Sequence, residues 1–167
     1  MGPSTTDAAV PAYIGLGANL GNTGATLDAA LAALGALPAT TLVAVSPRYR
    51  SAPVDATGPD YTNAVAVLST RLGADALLAR LLDIESAHGR ERSYVNAPRC
   101  LDLDLLLYAD LTLASPRLTL PHPRLHQRAF VLRPLADLAP DLMIPDHGRV
   151  ASLLASVADQ RLEQIRP

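Results

Sequence analysis

A chain of 167 residues, nearly half of them apolar, is sized for one domain with a substantial core. A net charge of −2 excludes a strongly basic nucleic-acid binder as the default, and a lone cysteine, Cys100, leaves no disulfide framework and suits a reducing cytosol. No apolar run reaches the length that a membrane helix requires, so a membrane partner is not expected.

Residues 1–11 are small and polar without a basic stretch, and read as a loose N-terminal extension ahead of a single domain over 12–167. Ala12 to Leu16 is a short apolar strand, followed by a turn-rich exit, Gly17-Ala18-Asn19-Leu20-Gly21-Asn22. Its glycines lack the full spacing of a dinucleotide loop. Thr23 is placed to cap a helix whose Leu27, Leu31 and Leu34 share one face, ended by Gly35 and Pro38. Thr41 to Tyr49 is the second strand, and residues 51–60 form a Pro/Gly-rich loop. Asn63 to Leu72 is the third strand, with Val65, Val67 and Leu68 pointing to deep burial. Gly73 to His88 is an amphipathic helix with Leu77, Leu81 and Ile84 inward, and Gly89 stops it. A polar loop over 90–98 leads to a strand at 101–108. The order strand, helix, strand, strand, helix, strand predicts an α+β fold, a ferredoxin-like antiparallel sheet of split βαβ type with two helices on one face. Additional C-terminal helices follow, near Ala129–Leu138 and around Val150–Val157.

The chemistry concentrates on the last of those strands. In Leu101-Asp102-Leu103-Asp104-Leu105, alternation puts both aspartates on one face, roughly 7 Å apart at Cα. Asp is disfavoured in strands, so the pair is either a solvated face or a set of hard oxygen ligands for Mg²⁺. Arg90, Arg92 and Arg99 precede it, and Arg117, His122, Arg124, His126 and Arg128 follow. Arginines gathered around two carboxylates in a slightly acidic chain suit a polyphosphate, with Mg²⁺ bridging other oxygens. Tyr61 and Asn63, at i, i+2, share a strand face and offer a stacking surface beside an amide, a pairing that fits a flat heterocycle. Phe130, the only Phe, is either a wall of that site or a core residue.

Several blocks occur together in order: Ile14-Gly15-Leu16-Gly17-Ala18-Asn19-Leu20-Gly21, Tyr49-Arg50-Ser51-Ala52-Pro53, Asp60-Tyr61-Thr62-Asn63-Ala64, Ile84-Glu85 and Gly89-Arg90-Glu91-Arg92. Pro98-Arg99-Cys100-Leu101-Asp102-Leu103-Asp104, Leu120-Pro121-His122 and Arg128-Ala129-Phe130-Val131-Leu132 complete the set. Over roughly residues 12–157 the chain resembles the 6-hydroxymethyl-7,8-dihydropterin pyrophosphokinase family of folate biosynthesis. The resemblance implies a ferredoxin-like fold and transfer of the β,γ-pyrophosphoryl group of ATP to the pterin hydroxymethyl oxygen, releasing AMP. It implies two Mg²⁺ ions on Asp102 and Asp104. Arg90, Arg92, Arg99, His122 and Arg128 would contact the triphosphate, with Leu105, Arg117 and Thr119 near the nucleotide. Ser51, Val54, Tyr61, Asn63 and Phe130 would form the pterin pocket. Arg90 and Arg99, with the aspartates, would carry the catalysis. Members usually carry Trp-Gly before the Pro-Arg and a Tyr after the His; Asn96-Ala97 and Pro123 stand there in this chain, which leaves Tyr94 as the candidate lid aromatic.

ATP and a hydroxymethyl pterin are thus the expected partners, of a monomer in the cytoplasm. Two other classes stay open on residues alone. A metal-dependent nucleotidyltransferase also uses an Asp-x-Asp strand, and a ferredoxin-like module can sense a metabolite without catalysis. The latter has no need of clustered arginines.

Overall fold

The computed structural model describes residues 5–53, 58–88 and 101–166. β1 (Thr5–Ala18) leads into α1 (Thr23–Gly35), followed by β2 (Thr40–Val45), β3 (Arg48–Ser51) and β4 (Tyr61–Leu72). α2 (Ala74–Ala87) and β5 (Asp102–Tyr108) complete the main sheet, apart from one late strand. The small hairpin β6 (Leu113–Ala114) and β7 (Thr119–Leu120) precedes α3 (Ala129–Leu138). A second hairpin, β8 (Met143–Ile144) and β9 (Gly148–Arg149), precedes α4 (Val150–Leu153), and β10 (Glu163–Ile165) ends the fold.

The sheet order is β10-β3-β4-β1-β5, with β2 also paired to β4, and every described pairing is antiparallel. Its first face carries α1 and α2. Leu27, Leu34, Leu77 and Leu81, all fully buried, pack in one core with Ile14, Leu16, Leu68, Leu103 and Leu105. Burying such side chains contributes about 1.5–3 kcal/mol each. The second face carries α3 and α4. There Val131, Leu132, Leu135 and Val150 join Tyr13, Val65, Leu106 and Leu107. Among the described residues no helix is long and apolar enough to cross a membrane.

Several elements depart from the expected ones, each for a local reason. β1 starts at Thr5 and not at Ala12: Thr5 pairs with Leu72 and Val10 with Thr70, so residues 5–11 belong to the strand and are not a loose extension. The helix cap is Asn22, whose Oδ1 accepts from the Ala25 amide at 3.0 Å, while the Thr23 hydroxyl pairs with that of Thr62 at 2.8 Å. The strand expected over 41–49 is two strands, because Pro47 has no N–H for the ladder. Ser46 bridges the break: its amide donates to Val65 O and its Oγ accepts from Val65 N, both at 2.9 Å. α3 occupies the expected span, and the last helix is only α4 followed by a 3-10 turn over Leu154–Val157.

The feature that matters most for the site lies in β5. Register slips between Tyr13↔Leu107 and Ile14↔Leu105, leaving Leu106 as an extra residue. Leu101, Leu103 and Leu105 therefore face the first core, whereas Leu106 and Leu107 join the second. The carbonyl of Leu106 accepts from the His122 amide at 2.9 Å, which anchors the segment after β7 to the sheet edge beside the aspartates.

Candidate active site

Alternation in β5 puts Asp102 and Asp104 on the second face, and the register names their neighbours. Asp102 lies opposite Gly17, and Gly17 opposite Asn63; Asp104 lies opposite Gly15, and Gly15 opposite Val65. Residues directly opposite share a face. Two rows therefore cross three strands, and the central residue of each row has no side chain. A Cβ on Gly17 would sit 3.3 Å from Asn63 Oδ1 and 3.7 Å from Tyr61 Cδ1. These glycines form the floor of an open cleft. Its walls include Ser51, Tyr61, Asn63, Asp102, Asp104, Arg128 and Phe130. Ser51 reaches it because β3 pairs Ser51 with Tyr61; the buried Asn63 then donates from Nδ2 to Ser51 Oγ at 2.7 Å.

A second cleft opens on the outer side of β5. It is lined by Leu78, Leu103, Leu105, Arg117, Thr119 and His122, among others, and by Asp104. Asp104 thus lines both clefts. The turn that carries Arg117 is closed by Ser115, whose Oγ donates to Leu118 O at 2.9 Å and accepts from Leu118 N at 3.1 Å. His122 Nδ1 accepts from the Arg124 amide at 3.2 Å, which leaves the neutral ring's proton on Nε2. Burial holds its pKa below the ordinary value; the Asp104 charge opposes that, and Arg128 and Arg124 add to it. The lowered pKa favours the neutral ring, which offers an N–H donor at Nε2.

Arg128 stands at the entry to α3 with an extended backbone, φ −122° and ψ 115°. Gln160, from the C-terminal segment, clamps that entry: its Oε1 accepts from Ala129 N and its Nε2 donates to Gln127 O, each at 2.8 Å. The Arg128 guanidinium carbon lies 5.4 Å from the centroid of the half-buried Phe130 ring.

The residues chosen from sequence separate cleanly. Ser51, Tyr61, Asn63 and Phe130 line the first cleft, together with Arg128 and both aspartates. Leu105, Arg117, Thr119 and His122 line the second. Val54, Arg90, Arg92 and Arg99 lie outside the described residues, as do Tyr94, Asn96, Ala97 and Cys100. Sequence reasoning missed Gly15, Gly17 and Gln160. Two glycines at i, i+2 inside a strand are a signal of close approach to the backbone; Gln160 left no such trace. His126, which had no assigned role, stacks on His147 with ring centroids 3.9 Å apart. Desolvation, then the neighbouring imidazole, lowers its pKa.

Comparison with known proteins gives the family. The family model described as 7,8-dihydro-6-hydroxymethylpterin-pyrophosphokinase (HPPK) matches residues 13–140. A Pseudomonas aeruginosa 2-amino-4-hydroxy-6-hydroxymethyldihydropteridine pyrophosphokinase is 46% identical over 154 residues, covering 92% of this chain and 95% of that protein. The Haemophilus influenzae protein of the same name is 40% identical over 159 residues, covering 95% and 99% respectively. Among solved structures, wild-type Plasmodium falciparum HPPK-DHPS with pterin and p-hydroxybenzoate superposes with a TM-score of 0.75 at 12% identity. That match covers 99% of this chain and 46% of the Plasmodium chain, so this chain spans less than half of that protein and shares its fold over that part. The chain belongs to the 7,8-dihydro-6-hydroxymethylpterin-pyrophosphokinase family.

Proposed function

We propose that the chain transfers the β,γ-pyrophosphoryl group of ATP to the hydroxymethyl oxygen of 6-hydroxymethyl-7,8-dihydropterin in folate biosynthesis, leaving AMP. The observation that carries this is the position of Asp104. One carboxylate lines both a cleft suited to a flat heterocycle and a cleft lined by Arg117 and His122. A metabolite sensor has no need of two clefts meeting at a carboxylate pair.

In the first cleft Phe130 and Tyr61 offer aromatic faces, and Ser51 and Asn63 offer polar edges to an amide-bearing ring. In the second, Leu105 packs against the nucleotide, Thr119 and Arg117 meet its polar groups, and His122 donates to the polyphosphate. Arg128 reaches the same phosphates from the pterin side, and Arg90, Arg92 and Arg99 contact the triphosphate by family resemblance. The hydroxymethyl oxygen forms a bond to the β-phosphorus. The bond from that phosphorus to the α,β-bridging oxygen breaks, and its electron pair leaves on AMP. The hydroxyl proton passes to Asp102 or Asp104 if a base is required. Alignment and neutralisation of spreading charge do the rest, without a covalent enzyme intermediate.

The donor set at Asp102 and Asp104 fits Mg²⁺. Both carboxylates are half-buried on a rigid strand, and they line the same open cleft as the glycines opposite them. Among the described residues no third His, Cys, Asp or Glu joins them to make a closed cage. Two carboxylates completed by substrate phosphates is the arrangement Mg²⁺ favours. Bound there, two Mg²⁺ ions supply charge neutralisation on the phosphate oxygens.

The core from β1 to β5, ordered β2/β3-β4-β1-β5, supports a ferredoxin-like split βαβ description within a single domain that includes residues 5–11. The lone cysteine and the −2 charge support a cytoplasmic protein acting on small molecules without nucleic acid. Turnover of the pterin with ATP tests the function: it stops with excess EDTA and returns on adding Mg²⁺. Unchanged turnover in EDTA would contradict the metal assignment.

A further inference from the structure

Glu85 has no part in either cleft, yet it is only 4% exposed. It sits on the inward face of α2 with Leu77, Leu81 and Ile84. Withdrawing a carboxylate from water is costly unless hydrogen bonds satisfy it, so its position needs a reason. Its Oε2 accepts from the Leu103 backbone amide at 2.8 Å. Leu103 is the residue between Asp102 and Asp104.

The consequence follows from covalent geometry. The Leu103 nitrogen belongs to the planar peptide unit that begins at the Asp102 Cα. Holding that nitrogen sets ψ of Asp102 and φ of Leu103, hence the directions in which the aspartate side chains leave the strand. β5 ends the order of the main sheet, with β1 as its ladder partner there, and edge amides ordinarily fray or hydrate. Here a charge-assisted bond from the neighbouring helix holds one, and such bonds are the stronger kind. The Leu103 side chain packs among the leucines of the first core, whereas both aspartates face the cleft on the second. Glu85 therefore touches the backbone between the aspartates from the helical side.

We propose that Glu85 is a positioning residue for the divalent cation, fixing the geometry of Asp102 and Asp104 through the Leu103 amide without ligating the ion. This rests on the assignment of the aspartate pair as cation ligands. The test compares wild type with Glu85→Leu, Glu85→Gln and Asp102→Asn. Mn²⁺ is titrated in the presence of α,β-methylene-ATP and followed by electron paramagnetic resonance, and exchange of the Leu103 amide is followed by NMR. Glu85→Leu is expected to speed that exchange and to weaken Mn²⁺ binding by about 10–100-fold. Glu85→Gln, which keeps an acceptor, preserves both. A folded Glu85→Leu protein with an unprotected Leu103 amide and wild-type Mn²⁺ affinity would overturn the proposal, leaving Glu85 a structural role alone. If Glu85→Leu does not fold, Glu85→Gln decides: a protected amide with normal Mn²⁺ affinity supports the proposal, and a protected amide with lost affinity overturns it. Wild-type affinity in Asp102→Asn would refute the cation assignment itself, and the role of Glu85 with it.

Discussion

Each aspartate of β5 stands opposite a glycine and lines the open first cleft, and neither belongs to an apolar core. Asp102→Ala and Asp104→Ala are each expected to lower turnover on the order of 10²-fold or more, since metal-bound charge stabilisation is worth several kcal/mol. Melting temperature is expected to change little beside turnover, because neither side chain belongs to an apolar core. Wild-type turnover at saturating Mg²⁺ in either variant would contradict the assignment. Phe130 offers the opposite contrast. A fully buried Phe truncated to Ala costs about 3–5 kcal/mol, but this ring is half-buried, lines the first cleft and carries Arg128 over its face. Phe130→Ala is therefore expected to weaken pterin binding about tenfold or more, by the worth of aromatic stacking on a flat base, and to leave ATP affinity near wild type. Calorimetric titration with each substrate, beside a thermal melt, separates the two roles. A collapsed melt with normal pterin affinity would place Phe130 in the core.

Between elements, a half-buried polar contact links α3 to the sheet. The hydroxyl of Tyr49 on β3 donates to Asp137 on α3, which Arg133 also engages at 3.0 Å. Burial, then the Asp137 carboxylate, pushes the Tyr49 pKa up to about 12. A phenol whose pKa is higher in the folded chain than in the unfolded one stabilises fully below pH 10, and that contribution disappears as pH rises towards 12. Tyr49→Phe is expected to cost about 1 kcal/mol at pH 8 and to lose less stability than wild type between pH 9 and pH 11.5. Parallel melts across that range measure it; equal alkaline losses would contradict the assignment. Element identity was legible wherever periodicity was strong: Leu77, Leu81 and Ile84 did line the inner face of α2, and α3 fell where expected. What stayed hidden was long-range. Thr5 to Val10 have no apolar alternation and become strand because β4 extends far enough to pair with Thr5 and Val10, across a register shift. The extra residue at Leu106 cannot be seen in a run of leucines, because nothing in their chemistry says which one skips the ladder.

Across the whole molecule, two helical layers have different duties. α1 and α2 build the first core and hold the leucine side of β5, and α3 roofs the second face, where the aspartates point. The carboxylates and the aromatic residues announced themselves through residue type and spacing. The junction of the two clefts did not, since it depends on a bulge, a pair of glycines and a hairpin brought to the outer edge of β5. That junction is what the account rests on, because the proposed reaction needs ATP and pterin on either side of one carboxylate, and Asp104 lines both clefts. Identifying the phosphorus-containing products by ³¹P NMR, after incubation with ATP, Mg²⁺ and 6-hydroxymethyl-7,8-dihydropterin, tests it most directly. Pyrophosphoryl transfer gives AMP and a pterin diphosphate in equal amounts; free pyrophosphate with a nucleotidylated pterin would contradict it.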